Sequence, residues 1–348
     1  MSIVMAPAKT RKNDNPYLSI LTKSLTEQGV TVKGLPIVPA WSKTSALHVH
    51  WLEFPQWGRL ASRVPFWATW RMNRVIALAR RNNKLGRPVL WTVHNLRPHD
   101  FKNEAHKAIY DTMCREFLPL VTDVICMSET VRDAAHDAFP ELRNARFHII
   151  RHPHYKDHFA RLTPRTPPEL EATNLMSGPT LGTFGMLRAY KAIPDTIRAM
   201  KGLSRPFTFV IAGSGAMAEI SAIQEAIGDD ARFVFIPRRV SDEEILGMTQ
   251  ACDLIVFGFK SILNSGSVLA ALSMNRPVLA PDLGALHDLQ IDLGTDWVNL
   301  YEGELTTEVI ENVLRGLPPK TPLDLSPYDP SRISSQHAVL MQRGGDQT

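Results

Sequence analysis

Three short stretches of this 348-residue chain carry groups able to hold an anion. The first is Asn264-Ser265-Gly266-Ser267, which opens an apolar helix-forming run, SVLAALSM. The first N–H groups of a helix are unpaired and its dipole is positive there. A glycine that lets the backbone close in, with two hydroxyl donors, suits a phosphate at such a place. An ordinary serine cap uses the same residues, so this turn alone does not decide between the two readings. The second stretch is FGMLRAYKAI, in which Gly185, Arg188 and Lys191 follow an apolar strand. Two cations in a glycine-bearing loop suit a diphosphate; two surface cations give the same pattern. The third is IAGSGA, with Gly213, Ser214 and Gly215, which a tight turn also explains. Three loops of one sheet with anion-friendly chemistry together point to a nucleotide diphosphate.

A different chemistry gathers in the first half. WTVHNLRPHD places His94, Asn95, His99 and Asp100 directly after an apolar strand. Asp100 is the first candidate to take a proton from a substrate hydroxyl. His94 is a second candidate, and Glu53 of HVHWLEFP a third. Asn95, His99 and His152 are further polar groups in loops after strands. Loop-stabilising hydrogen bonds account for the same residue types. RHPHYKDHF adds His154 and His158 to His152. Their spacing in a loop is not that of a metal site, so polar lining is the expected role.

Residues scattered this widely need a scaffold that collects them. Short apolar runs such as SIVMAP, PVLWTVHNL, TDVICMS, TLGTFGM, FTFVIAG and CDLIVFGF alternate with helix-forming runs. That alternation predicts α/β architecture with parallel sheets built from βαβ units. Polar clusters directly after strands are where such folds bind ligands. TPRTPPELEATNLMSGP is rich in proline and polar residues and reads as a linker. The expected organisation is a domain at 1–165, a linker at 166–178, a second domain at 179–316 and a tail at 317–348. The tail's last helix, SRISSQHAVLMQR, is expected to pack back on the first domain. Two Rossmann-like domains whose parallel sheets face a cleft follow from this reading. SDEEILGMTQAC carries a capping box from Ser241 to Glu244.

Composition narrows the class. A hydrophobic fraction of 44% and a charged fraction of 21% are those of a globular protein. No apolar run reaches membrane-spanning length, and MSIVMAPAKTRK lacks the apolar core of a signal peptide, so a cytoplasmic location is expected. Cys114, Cys126 and Cys252 form no close pair, which argues against disulfides and a cysteine zinc site. The net charge of +4 is unevenly placed. No acid falls between Glu53 and Asp100, while Arg59, Arg63, Arg71, Arg74, Arg80, Arg81, Lys84 and Arg87 do, among Trp57, Phe66, Trp67 and Trp70. Basic residues with interfacial aromatics suit an anionic membrane surface; the plain alternative is a solvated helix face over an aromatic core patch. No nucleic-acid motif accompanies the charge, so nucleic acid is not an expected partner.

The ordered set of motifs resembles the GT-B-fold glycosyltransferases of bacterial polysaccharide assembly, a group 1, GT4-like kind. NPYLSILTKSLTEQGV is similar to the family's opening segment, and HVHWLEFP and VHNLRPHD to its acceptor-side loops. GMLRAYKAI is similar to its donor-phosphate segment, and NSGSVLAALSMNRPVLAPDLGAL to its donor helix and following strand. The resemblance implies a nucleotide-diphosphate sugar bound to the second domain as co-substrate, with no further cofactor. It implies a glycan or polyprenyl-linked acceptor on the first domain, with Asn95, His99 and His152 on the acceptor side, in exopolysaccharide synthesis at the inner face of the cell membrane. Gly185, Arg188, Lys191, Gly213, Asn264, Ser265, Gly266 and Ser267 would hold the donor, steadying charge on the leaving group. There is no Asp-x-Asp metal motif, and metal-independent transfer is expected. Many retaining members carry two glutamates eight apart across the donor helix; Ile262 and Ala270 stand at those positions here. The expected reaction is therefore an inverting, in-line displacement. A sugar-nucleotide epimerase of the same fold and a non-catalytic sugar-binding subunit are the competing readings.

Overall fold

In a computed structural model, the residues described are 1–8, 16–37, 44–57, 60–98, 101, 103–173, 177–317 and 322–342. The chain divides into two compact units, residues 1–153 with 327–348, and residues 154–326. Each is described by itself.

The first unit alternates strand and helix as the apolar pattern requires. β1 (Ser2–Ala6), α1 (Tyr17–Glu27), β2 (Thr31–Lys33) and β3 (Leu47–Val49) come first. α2 (Pro65–Lys84), β4 (Val89–Thr92), α3 (Glu104–Phe117), β5 (Asp123–Cys126), α4 (Glu129–Ala138) and β6 (Arg146–Ile149) complete the sheet. The sheet order is β2-β1-β3-β4-β5-β6, and every pairing is parallel. β4 and β5 are buried along their whole length, as a sheet covered on both faces demands. Register sets what comes together: His48 pairs with Leu90 and Val49 with Trp91, so His50 and His94 leave the sheet at the same, C-terminal end of its strands.

The second unit opens with two short helices, α5 (Lys156–Phe159) and α6 (Pro168–Glu171). The alternation then restarts with β7 (Thr180–Phe184), α7 (Ile193–Lys201), β8 (Thr208–Ala212), α8 (Met217–Ile227) and β9 (Phe233–Ile236). It continues through α9 (Asp242–Ala251), β10 (Leu254–Val256), α10 (Gly266–Ser273) and β11 (Val278–Pro281). α11 (Leu286–Leu293), β12 (Val298–Tyr301) and α12 (Thr307–Arg315) follow. The order β12-β11-β10-β7-β8-β9, again all parallel, reverses direction between β10 and β7. Open sheets of this type bind ligands beyond the strand C-termini at such a reversal. The capping box on α9 forms in full: Ser241 Oγ accepts from Glu244 N, and the Glu244 carboxylate accepts from Ser241 N at 2.9 Å.

The second unit begins at His154, earlier than the 179 expected from composition. The described residues 166–173 of the stretch read as a linker are tied into that unit. Leu170 is buried, and Glu169 accepts two bonds from the Arg238 guanidinium at 2.7 and 2.8 Å. The last helix, α13 (Pro330–Gln342), packs on α1 in the first unit. Ile333, Ala338, Leu340 and Met341 enter the same core as Leu18, Leu21 and Leu25. Ser24 and Ser334 share a hydrogen bond at 2.8 Å beneath them.

Candidate active site

In the second unit, the loops at the strand reversal bring three of the expected anion-binding groups together. Gly185 follows β7 with φ +106°, a conformation open to glycine at little cost. A Cβ placed on Gly185 would lie 2.9 Å from Lys191 Nζ and 3.3 Å from Ser267 Oγ. The bare Gly185 backbone, the Lys191 ammonium and the Ser267 hydroxyl therefore border one small space. Lys191 is buried, and its Nζ donates to the Phe184 carbonyl at 3.1 Å. Burial lowers its pKa to about 8, so the amine is held short of its full hydration and gains from an anion beside it.

Ser265 caps α10 through its hydroxyl, which accepts from Val268 N at 3.3 Å. The plain capping role is thus occupied by Ser265, while Gly266 and Ser267 form the first turn, whose N–H groups face the loop. Asn264 lies in the loop just before it, half-buried. The following loop supports this one from behind: Ala285 N donates to Leu263 O at 2.9 Å. Arg188 is exposed and precedes the turn Ala189–Lys191. Gly213 is buried, and a Cβ there would lie 1.9 Å from the Gly185 carbonyl oxygen. Its place is to let the loop after β8 pack against the loop after β7.

In the first unit the groups leaving β3, β4 and β6 converge on Tyr17 of α1. The His94 ring meets Tyr17 edge-on at 4.8 Å and stacks on Trp51 at 4.0 Å with 17° between planes. His152 packs on the same tyrosine at 4.7 Å, and its Nδ1 donates to the Pro153 carbonyl at 2.8 Å. His50 Nδ1 and His94 Nε2 share a hydrogen bond at 3.2 Å. Behind them, His48 lies 4.1 Å from His50 and 5.5 Å from His337 of α13. Burial, reinforced by the neighbouring imidazoles, drives the pKa values of His48, His50 and His94 well below the ordinary histidine range. His94 is therefore neutral, which disfavours it as the group that finally keeps a proton.

Glu53 precedes the turn Phe54–Gln56 just after this cluster. Burial raises its carboxyl to about 7, the range suited to a general base. Asn95 is half-buried beside His94. His99 and Asp100 lie outside the described residues. Of the remaining loop histidines, His158 bonds to Asp242 at 2.7 Å and His154 Nδ1 accepts from Lys156 N at 3.3 Å. Among the described residues no three His, Cys, Asp or Glu side chains are placed to share a metal ion. Sequence reasoning missed Tyr17, His48, His50, Trp51 and His337. The alternating histidines of HVHW were a usable signal for two inward-facing rings on one strand.

Part of the basic stretch forms α2, whose aromatics do not enter the core. Phe66 is 67% exposed, Trp67 40% and Trp70 36%, with Leu60 and Val64 exposed beside them. Arg74 lies 4.2 Å over the Trp70 ring and donates to the Leu35 and Pro36 carbonyls. No described helix is long and apolar enough to cross a membrane.

Two six-stranded parallel sheets with these loops define the GT-B architecture. Solved structures share the fold over nearly the whole chain. Anabaena HepE in complex with UDP has a TM-score of 0.58 at 15% identity, covering 99% of this chain and 98% of that one. A glycosyltransferase from Rickettsia africae has a TM-score of 0.61 at 13% identity, covering 100% and 99%. Residues 178–315 match the family described as Glycosyl transferases group 1. A GDP-mannose:glycolipid 4-beta-D-mannosyltransferase from Xanthomonas campestris pv. campestris is 28% identical over 97% of this chain and 90% of its own length. The matched domain and the mannosyltransferase likeness support a group 1 glycosyltransferase.

Proposed function

We propose that this enzyme transfers a hexosyl group from a nucleotide-diphosphate sugar to a lipid-linked glycan, with inversion and without a divalent metal. The observation that carries the reading is the Gly185–Lys191–Ser267 constellation. A desolvated ammonium, a glycine backbone and a helix start converge where a leaving diphosphate gathers charge. These fixed positive groups supply what a metal ion supplies elsewhere. Ile262 and Ala270, in place of paired glutamates, support a single displacement.

The acceptor hydroxyl needs a base, and the structural support falls on Glu53, whose burial keeps its pKa near 7. Asp100 is its competitor on sequence grounds. The related mannosyltransferase acts on a glycolipid, which agrees with the exposed Phe66, Trp67 and Trp70 and the arginines around them. We read that face as seating on an anionic membrane, at the cytoplasmic side, in exopolysaccharide assembly.

The test is transfer from GDP-mannose, then from UDP-hexoses, to a polyprenyl-diphosphate glycan in vesicles, with EDTA present. Proton NMR of the product reads the anomeric outcome. Turnover in EDTA with an inverted anomeric centre supports the proposal. Retention, or a requirement for added metal, contradicts its finer points, and absence of transfer to any lipid-linked glycan contradicts the acceptor class.

A further inference from the structure

Lys191 and Ser267 reach their common space from two different loops, residues 185–192 after β7 and residues 257–265 leading into α10. A site of this kind works only when its groups are held at a fixed separation, so the contacts between the two loops decide it. The turn that carries Lys191 does not hold itself. It ends at Ala192, whose φ of +47° lies in the left-handed region that side chains other than glycine rarely adopt. Such a conformation persists where neighbouring structure imposes it.

The neighbour is the loop after β10. Phe259 stacks on the Tyr190 ring at 6.2 Å with 25° between planes, and on Phe257 at 5.2 Å with 8°. Phe257 is fixed in turn, its N–H bonded to the Leu279 carbonyl of β11 at 2.8 Å. Lys260 N donates to the Tyr190 carbonyl at 2.7 Å, and Lys260 Nζ pairs with Asp195 of α7 at 2.8 Å. That ion pair is exposed and contributes little by itself, whereas Phe259 is buried. A Cβ on Gly258 would lie 2.4 Å from Thr196 Oγ1 and 3.3 Å from the Lys191 carbonyl oxygen, so the backbone runs flush against the start of α7. A cavity of about 780 Å³ is bordered by Ala192, Asp195, Phe259 and Lys260, so packing from that direction does not hold the loops. The aromatic stack is the side-chain tie between them.

We propose that Tyr190 is a positioning residue of the donor site: its ring, stacked on Phe259, holds Lys191 against the start of α10 and so sets the ammonium for the diphosphate. The inference rests on the reading that the Lys191–Ser267 corner takes a diphosphate. Tyr190 acts through Lys191 and makes no contact with the nucleotide.

The test is a double-mutant cycle read by calorimetry with GDP and UDP on the full chain, beside the melting temperature of each variant. The variants are Lys191→Ala, Tyr190→Leu, Tyr190→Phe, and Lys191→Ala combined with Tyr190→Leu. The expected affinity of Tyr190→Leu is about fivefold weaker, the scale of one aromatic pair, while Tyr190→Phe keeps the ring and stays within about twofold of the unsubstituted protein. In the Lys191→Ala background, Tyr190→Leu should weaken binding no further. Unchanged affinity in Tyr190→Leu overturns the proposal, as does an equal loss in Tyr190→Phe. The same loss in both backgrounds also overturns it, since the ring would then touch the nucleotide or merely support the fold. If Tyr190→Leu does not fold, Phe259→Leu removes the stack from its other side, with the same expected pattern across the two backgrounds. Unchanged affinity in Lys191→Ala would reject the diphosphate corner and the inference with it. A loss in Lys191→Ala beside none in Tyr190→Leu rejects the inference alone.

Discussion

Gly213 and Gly185 are packed backbone to backbone, so that a Cβ on Gly213 would sit 1.9 Å from the Gly185 oxygen. The two loops can approach only because Gly213 lacks a side chain. Gly213→Ala must push the loop after β7 away from Lys191 and Ser267. The expected cost is about 1–3 kcal/mol of stability, as for overpacked interiors, with a matching loss of nucleotide affinity. Urea unfolding and nucleotide titration check it together; unchanged values in both would show that the loops are not coupled.

Glu53 acts as base only when ionised. With its pKa raised to about 7 by burial, kcat/KM should climb with pH through that value and level off above it. Glu53→Gln should remove that limb and lower kcat by about 10²–10⁴-fold, the usual weight of general-base catalysis. Asp100→Asn run beside it shows which carboxylate carries the step. A full rate in Glu53→Gln would return the role to Asp100.

The buried histidines make stability depend on pH in a fixed direction. Burial lowers His152 and His337 to about 4, and His48, His50 and His94 are lowered as well. Below about pH 6.5 the unfolded chain binds protons that the fold refuses, so stability rises with pH across this window and is lost as pH falls. The slope is about 1.4 kcal/mol per pH unit for each group that stays neutral in the fold. Denaturation at pH 7.5 and 5.5 should show the loss, and His337→Phe should flatten the slope. Equal stability at both pH values would mean the cluster is solvated.

On α2, Phe66 is the most exposed aromatic of a face that also presents Trp67 and Trp70. Replacing all three with serine should cut binding to phosphatidylglycerol vesicles by at least tenfold while leaving the fold intact, since little core area is removed. Sedimentation with vesicles of graded anionic content reads it. Equal binding by the triple variant would assign the face to another partner.

Local signals were legible in the sequence. The Ser241–Glu244 box and the Ser265 cap each need only four consecutive residues, and both form as read. The strand–helix alternation sufficed for two parallel sheets. The histidine chain was not legible, because His337 reaches His48 through the docking of α13 on α1, which no local pattern encodes. The stretch at 163–179 misled for a related reason. Its prolines look like a linker until Arg238, far along the chain, supplies the partner for Glu169. Gly213 shows a third limit: the sequence gives no sign whether a glycine serves a ligand or a neighbouring backbone.

The central claim is that the Lys191–Ser267 corner holds a diphosphate. Calorimetry with GDP and UDP, on the unsubstituted protein and on Lys191→Ala, tests it most directly. The account predicts binding of one nucleotide, weakened at least tenfold in Lys191→Ala with the melting temperature little changed, since a charge-assisted bond to phosphate is worth about 1.5–3 kcal/mol. Equal affinity in the two proteins, or no binding of either nucleotide, would contradict it.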